Sequence, residues 1–216
     1  TEIQKGCFCA CDDLQKVEFA PDSKLETIGQ KSFMYSQIES ILIPRSIKRI
    51  CRTAFKLCKK LQKVEFAPDS ELQIIERKAF MSSTIESISI PQNVSVIEDE
   101  WCFFANNLNE VKVNINNPYF KNCEENEKLI LGKSDIKSEK FDVLVFASRD
   151  VQEVKIPEFI EKIASNAFAY SKIHSIFIPH NITIIGESAF SNCKQLSKVE
   201  ISQNSNLQLI EKEAFG

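Results

Sequence analysis

The stretch LQKVEFAPDSKL at residues 14–25 returns as LQKVEFAPDSEL at 61–72, with Lys24 against Glu71 as the one difference. Between the two copies lies IESILIP at 38–44, which returns as IESISIP at 85–91 and as IHSIFIP at 173–179. Two kinds of unit therefore alternate. A longer one runs LxxVxF through a turn to LxxI and then to AF; a shorter one runs IxSIxIP to a second isoleucine and then to an AF-type pair. The middle apolar residues of the strand-like segments are Val17, Ile41, Val64, Ile88, Val111, Val154, Ile176 and Val199, spaced by 24, 23, 24, 23, 43, 22 and 23 residues. A period of this size is the mark of a stacked repeat, because one such unit cannot bury its own apolar side and must lie against its neighbours.

Within each strand the middle residue and the apolar residue two further on share a face, since side chains alternate along a strand. Stacking then predicts inward ladders of Val17/Phe19, Ile41/Ile43, Val64/Phe66, Ile88/Ile90, Val111/Val113, Val154/Ile156, Ile176/Ile178 and Val199/Ile201, forming one parallel sheet along a solenoid. Pro44, Pro91, Pro157 and Pro179 close the shorter strands where the chain leaves the ladder. The remainder of each unit reads as a turn and about one helical turn. Its phenylalanines predict a second buried column of Phe8, Phe33, Phe55, Phe80, Phe168, Phe190 and Phe215.

Composition narrows the function classes. The 216 residues are 43% hydrophobic and 26% charged, with a net charge of -3. That hydrophobic share is well above the disordered range. No block of five basic residues occurs, so the footprint needed to neutralise nucleic-acid phosphates is missing. No uncharged apolar run approaches the ~20 residues that cross a bilayer as a helix. Five glycines and two histidines leave little material for phosphate loops or general acid–base chemistry.

The AFxxCxxLxxV signature, carried by Ala54, Phe55, Cys58, Leu61 and Val64 and again by Ala189, Phe190, Cys193, Leu196 and Val199, resembles the BspA-like leucine-rich repeats, as does SIxIPxxVxxIxxxAF. These repeats belong to surface antigens of bacteria and parasitic protists. The resemblance covers about 1–113 and 151–216. It implies an α/β fold: a leucine-rich repeat solenoid, a right-handed superhelix with a parallel β-sheet on its concave face. Residues 117–150 resemble the excursion such proteins carry, and pairing 129–131 with 141–147 makes it an inserted β-hairpin projecting from the stack. A single domain over 1–216 is expected. The chain starts in the tail of one unit and stops before another strand, as a piece of a longer protein would.

Chemistry-bearing residues mostly reduce to the repeat. Cys11, Cys58 and Cys193 share one slot, three residues after the phenylalanine, and Cys7 takes the alanine slot, so all four are expected as small buried side chains. Like slots lie two ladder steps apart, roughly 10 Å, which exceeds the ~7 Å reach of a disulfide. Cys9 and Cys123 fall off the repeat and are expected to be the exposed thiols. His174 and His180 have no nucleophile signature beside them, and neither a metal-binding nor a phosphate-loop motif occurs. The expectation is a non-enzyme with no cofactor and no metal. Asn93-Val-Ser95 and Asn181-Ile-Thr183 are glycosylation sequons. Trp101-Cys102 sit in the Ala-Phe slot, followed by Phe103-Phe104, and are read as core repacking beside the insertion, with an exposed aromatic cluster as the alternative.

The outward strand positions carry the candidate partner surface. Longer units offer Lys16/Glu18, Lys63/Glu65 and Lys198/Glu200; the irregular ones offer Glu110/Lys112 and Glu153/Lys155. Shorter units offer Ser40/Leu42, Ser87/Ser89 and Ser175/Phe177. Leu42 and Phe177 are apolar side chains facing outward on a charged sheet, which marks a contact. Tyr119 and Phe120, at the base of the hairpin, form the second candidate. The family resemblance implies a protein-binding segment of a cell-surface or secreted adhesin recognising a host or matrix protein, with no nucleic-acid partner and no membrane insertion. The alternative is an intracellular scaffold for protein–protein interaction.

Overall fold

The computed structural model describes residues 1–216, and the chain divides into two compact units, Thr1–Pro118 and Tyr119–Gly216. Each is a β-solenoid of stacked rungs, and all 18 regular elements are strands.

In Thr1–Pro118 every rung contributes to two parallel sheets. The first sheet stacks Lys16–Val17, Ser40–Ile43, Lys63–Phe66, Ser87–Ile90 and Glu110–Val113 in that order. Its register is the one the repeat dictates: Ile41 opposes Val17 and Val64, Val64 opposes Ile88, and Ile88 opposes Val111. Ile41, Val64, Ile88 and Val111 are buried. The LxxI segments and their counterparts in the shorter units, for which no strand was expected, form a second parallel sheet of two-residue strands, Glu2–Ile3, Thr27–Ile28, Arg49–Ile50, Ile74–Ile75 and Val96–Ile97.

The helical turn expected after this second strand does not form. Backbone φ is positive two residues before and two residues after each phenylalanine, as at Lys31 and Tyr35 (58° and 64°), Thr53 and Leu57 (59° and 61°), and Lys78 and Ser82 (62° and 56°). Two left-handed residues four apart break any α-helical register. They also turn alternate amides outward. Ala54 N–H and Lys56 N–H close turns onto Cys51 O and Thr53 O, whereas Phe55 N–H and Leu57 N–H donate to Ala79 O and Met81 O of the next rung at 2.8 Å. The third side of each rung is thus bonded between rungs as a sheet is, which a helix, with its donors directed along its own axis, cannot achieve.

These cross-rung bonds set the phenylalanines in register. Phe8, Phe33, Phe55 and Phe80 stack with centroids 5.1, 5.3 and 5.2 Å apart and ring planes within 6°. Trp101 lies edge-on to Phe80 at 6.3 Å and is buried within the core, while Phe104 is exposed. The small slot three residues on forms its own column, in which Cys58 Sγ donates to Phe33 O at 3.0 Å beside Ser36 Oγ. At the corner after three of the first-sheet strands, a side chain pegs one rung to the one before: Ser46 Oγ donates to Ser23 O, Asn93 Nδ2 to Ser70 O, and Asn117 Nδ2 to Pro91 O. Asn93 of the first sequon is such a peg, and so is Asn181 of the second, through Glu158 O.

In Tyr119–Gly216 the expected hairpin is present, with Leu129–Gly132 antiparallel to Val143–Ala147. It does not project from the stack. Lys121–Asn122 pairs antiparallel with its first strand, and its second strand runs parallel to Lys162–Ile163, which is followed by Ile184–Ile185 and Leu209–Ile210. The excursion is therefore the beginning of the second sheet of this unit. The near-continuous apolar run of LIL and VLVFA fits that place, because both faces are covered. Leu129, Ile130, Leu131, Val143, Leu144 and Phe146 are all buried.

The first sheet of this unit consists of Ser175–Ile178 paired with Lys198–Ile201. Residues 151–157 form no strand, contrary to the eight-rung expectation, although Val154 and Ile156 still pack on the core. His174 N–H to Gln152 O is the backbone bond that joins this segment to the following strand, and a single bond makes no ladder. Phe168, Phe190 and Phe215 stack at 4.9 Å. Val199, Ile201 and Phe215 are exposed rather than buried as the pattern predicts.

Candidate functional site

The outward face of the first sheet follows from the two-residue alternation that buries the other face. Ser40–Ile43 alternates exposed and buried residues, and so does Ser175–Ile178. Leu42 and Phe177 therefore point outward, with 55% and 50% of their surface exposed. Around them the charged positions pair along their own strands: Lys16 with Glu18 at 2.5 Å, Lys63 with Glu65 at 2.8 Å, Glu110 with Lys112 at 2.5 Å, and Lys198 with Glu200 at 2.6 Å. The hydrogen bond and charge of Lys16 hold the Glu18 carboxyl below its ordinary range.

In Thr1–Pro118 this face opens into a groove of about 600 Å³, where the strands turn out of the sheet. Val17, Phe19, Pro21, Ile41, Leu42 and Pro44 line it, with Lys16, Glu18, Arg45 and Glu65 at its edges. A smaller groove of about 310 Å³ lies at the same corner of later rungs, between Phe66, Pro68, Ile90, Pro91 and Lys112. The sequence reading found Leu42, Lys16, Glu18 and Glu65 but not Pro21, Pro44, Arg45 or the half-buried Phe19. The available signal was the proline closing each strand, which the pattern marks as a strand end without showing that successive ends form one wall.

In the second unit, Ser175, Lys198 and Glu200 are exposed beside Phe177, which lies opposite Glu200 in register. The hairpin-base candidates differ from expectation. Phe120 is buried, its ring within 3.3 Å of the place a side chain on Gly132 would occupy, and Tyr119 is half-buried.

All eight cysteines are free thiols. Cys123, expected outside, is buried in the core of the second unit, because the hairpin joins the sheet there. Cys7, expected inside, is exposed. Burial pushes the Cys58 thiol from an ordinary value near 9 up to about 11, and raises Cys193 likewise, with the neighbouring serines opposing the shift. The folded state therefore holds the Cys58 proton in a range where the unfolded chain releases it. Its contribution to stability is complete below about pH 9 and is lost as pH rises toward 11, on the order of 1 kcal/mol by about pH 10. Denaturant midpoints across this range should fall less for Cys58→Ala than for the parent. A thiol reagent at neutral pH should label Cys7 and spare Cys58 until unfolding.

Comparison with known proteins supplies the family. The model of the BspA type leucine rich repeat region matches in six copies over residues 1–109, 26–142 and 113–216. The chain belongs to this repeat family. Among solved structures, the pneumococcal vaccine antigen PcpA is similar with a TM-score of 0.84 at 23% identity, over 94% of this chain and 49% of that one. A leucine rich cell surface protein of Faecalibacterium prausnitzii follows at 0.72 and 21%, over 94% of this chain and 58% of that one. A leucine-rich repeat protein of Eubacterium ventriosum matches at 0.60 and 18%, over 88% and 64%. The BspA-type chain thus spans about half to two thirds of the length of these relatives in fold. No curated protein sequence matches it significantly.

Proposed function

We propose that this BspA-type repeat chain is a non-enzymatic protein-binding module of a cell-surface protein, and that each of its two units offers a partner the outward face of its own first sheet. The observation that carries the reading is the pair of exposed apolar side chains, Leu42 and Phe177, each standing beside a neighbouring strand whose outward face is charged. A charged ladder is accounted for by solvation; an apolar side chain at its centre gains only when something covers it. The Lys–Glu pairs around it supply orientation and rate more than affinity. The names of the structural relatives, a vaccine antigen and a cell surface protein, support the surface assignment.

The test combines binding and stability. Leu42→Ala and Phe177→Ala should each leave the unfolding free energy within about 1 kcal/mol, since outward truncations rarely cost more. Together they should abolish most of the binding of the chain to an immobilised panel of host extracellular-matrix proteins. Normal binding by the double variant would remove this face from consideration. Eight free thiols also suit a reducing compartment, which favours an intracellular scaffold as the second reading. Antibody staining of intact and permeabilised cells separates the two, because staining only after permeabilisation excludes a surface role.

A further inference from the structure

The groove at Leu42 has a charge arrangement that an apolar contact alone does not require. Leu42 lies opposite Glu65 on one side. On the other side Lys16 lies opposite Ser40 and Val17 opposite Ile41, and Glu18 is the next residue after that pairing ends. Glu18, Leu42 and Glu65 all line the groove. One exposed apolar side chain thus has a carboxylate on each flank.

Resting on the protein-binding reading above, we propose that this groove receives a lysine or arginine side chain of a protein partner, with its aliphatic stem along Leu42 and its cationic head between Glu18 and Glu65. Long basic side chains cover apolar surface with their methylenes while the head stays among polar groups, and the groove supplies both environments in that order. A neutral apolar side chain would fill the floor but draw water away from two carboxylates while giving them no contact beyond the lysine of their own strand. An acidic one would face two like charges. The resident cations do not close the site. Both the Lys16–Glu18 and Lys63–Glu65 pairs are more than half exposed. Such pairs contribute about 0–1 kcal/mol, so an incoming head can share their carboxylates at little cost. Arg45, the other cation of the lining, leans on Glu71 at 3.5 Å.

The remaining rungs bear on specificity. Phe177 lies opposite Glu200, so an exposed apolar residue beside a glutamate recurs in the second unit, where the ring face also suits a cation. The rung of Ser87 and Ser89 has no apolar residue facing out, and Ser89 lies opposite Lys112, which repels a cationic head.

Methyl-resolved NMR of the intact chain tests the assignment, with n-butylguanidinium, 1-pentanol and valerate as probes at constant ionic strength. Butylguanidinium should shift the Leu42 methyl resonances saturably and more tightly than pentanol, and valerate should not shift them. Glu65→Gln should weaken butylguanidinium about threefold and Glu18→Gln/Glu65→Gln about tenfold, as expected for losing one and then both exposed charge contacts. Equal affinity for pentanol, tighter binding of valerate, indifference to the double variant, or no response to any probe would each overturn the basic-side-chain assignment. The protein-binding reading stands or falls separately, on the Leu42→Ala/Phe177→Ala double variant.

Discussion

Phe55→Ala should lower the stability of Thr1–Pro118 by about 3–5 kcal/mol, the range seen for truncating a fully buried phenylalanine. The ring is fully buried and lies flat between Phe33 at 5.3 Å and Phe80 at 5.2 Å, so truncation opens a cavity bounded by two aromatic faces. Neither neighbour can move in to fill it, because each is fixed in height by a backbone bond, Phe33 N–H to Ala54 O and Phe80 N–H to Trp101 O. Two stacked contacts are lost besides the transfer energy, each worth roughly 0.5–1.5 kcal/mol. Phe55→Leu keeps most of the volume and should cost less than half as much. Phe215→Ala supplies an internal contrast, since that ring is 40% exposed and stacks on one neighbour, Phe190. Denaturant midpoints should therefore rank Phe55→Ala well below Phe55→Leu and Phe215→Ala. A loss of 1 kcal/mol or less for Phe55→Ala would mean that the column is not a core element.

The phenylalanine column and the first-sheet ladder were legible for the same reason: a period of about 23 residues brings like residues into vertical register, so one strand reading serves every rung. The second sheet escaped because the strands the repeat contributes to it are two residues long, as with Thr27–Ile28 and Arg49–Ile50, too short for any alternation to show. The helical turn was read from the length of unit that remains after one strand and one turn. What forbids it are left-handed residues such as Lys31, Thr53 and Lys78, types that give no local hint of positive φ. Thr53, β-branched, adopts that conformation because its rung is bonded on both sides.

The hairpin shows the division between local and non-local information. The pairing of 129–131 with 141–147 follows from two apolar runs close in sequence. That Val143 and Leu144 then run parallel to Lys162 and Ile163 depends on a distant partner, and with that partnership go the burial of Cys123 and Phe120. At the candidate site, the outward placement of Leu42 and Phe177 was fixed by alternation, whereas the groove needed the relative placement of Pro21, Pro44 and Arg45 on successive rungs.

Gly186→Ala should be the most damaging single-methyl change in the second unit, at about 3 kcal/mol, the upper end of ordinary overpacking. Gly186 follows the second-sheet strand Ile184–Ile185, and its N–H donates to Ile163 O of the preceding rung at 2.9 Å. A Cβ built there would stand 2.5 Å from Ser165 N and 2.8 Å from the carbonyl carbon of Ala164. Those atoms are backbone, so no rotamer change relieves the contact, and the rungs must separate. Separation strains Gly186 N–H to Ile163 O and the neighbouring Phe168 N–H to Ala189 O bond, now 2.8 Å, along with the 4.9 Å stack of Phe168 on Phe190. Unlike the residues with positive φ, this glycine is required by space and not by its backbone angle. Ala164 and Glu211 occupy the corresponding place on adjacent rungs, so the repeat alone does not predict the requirement. Hydrogen exchange should report the effect locally: protection at the Phe168 and Gly186 amides should fall in Gly186→Ala while the amides of Ser40–Ile43 keep theirs. Unchanged protection, with a stability loss under about 0.5 kcal/mol, would show that the two rungs accommodate a methyl group without parting.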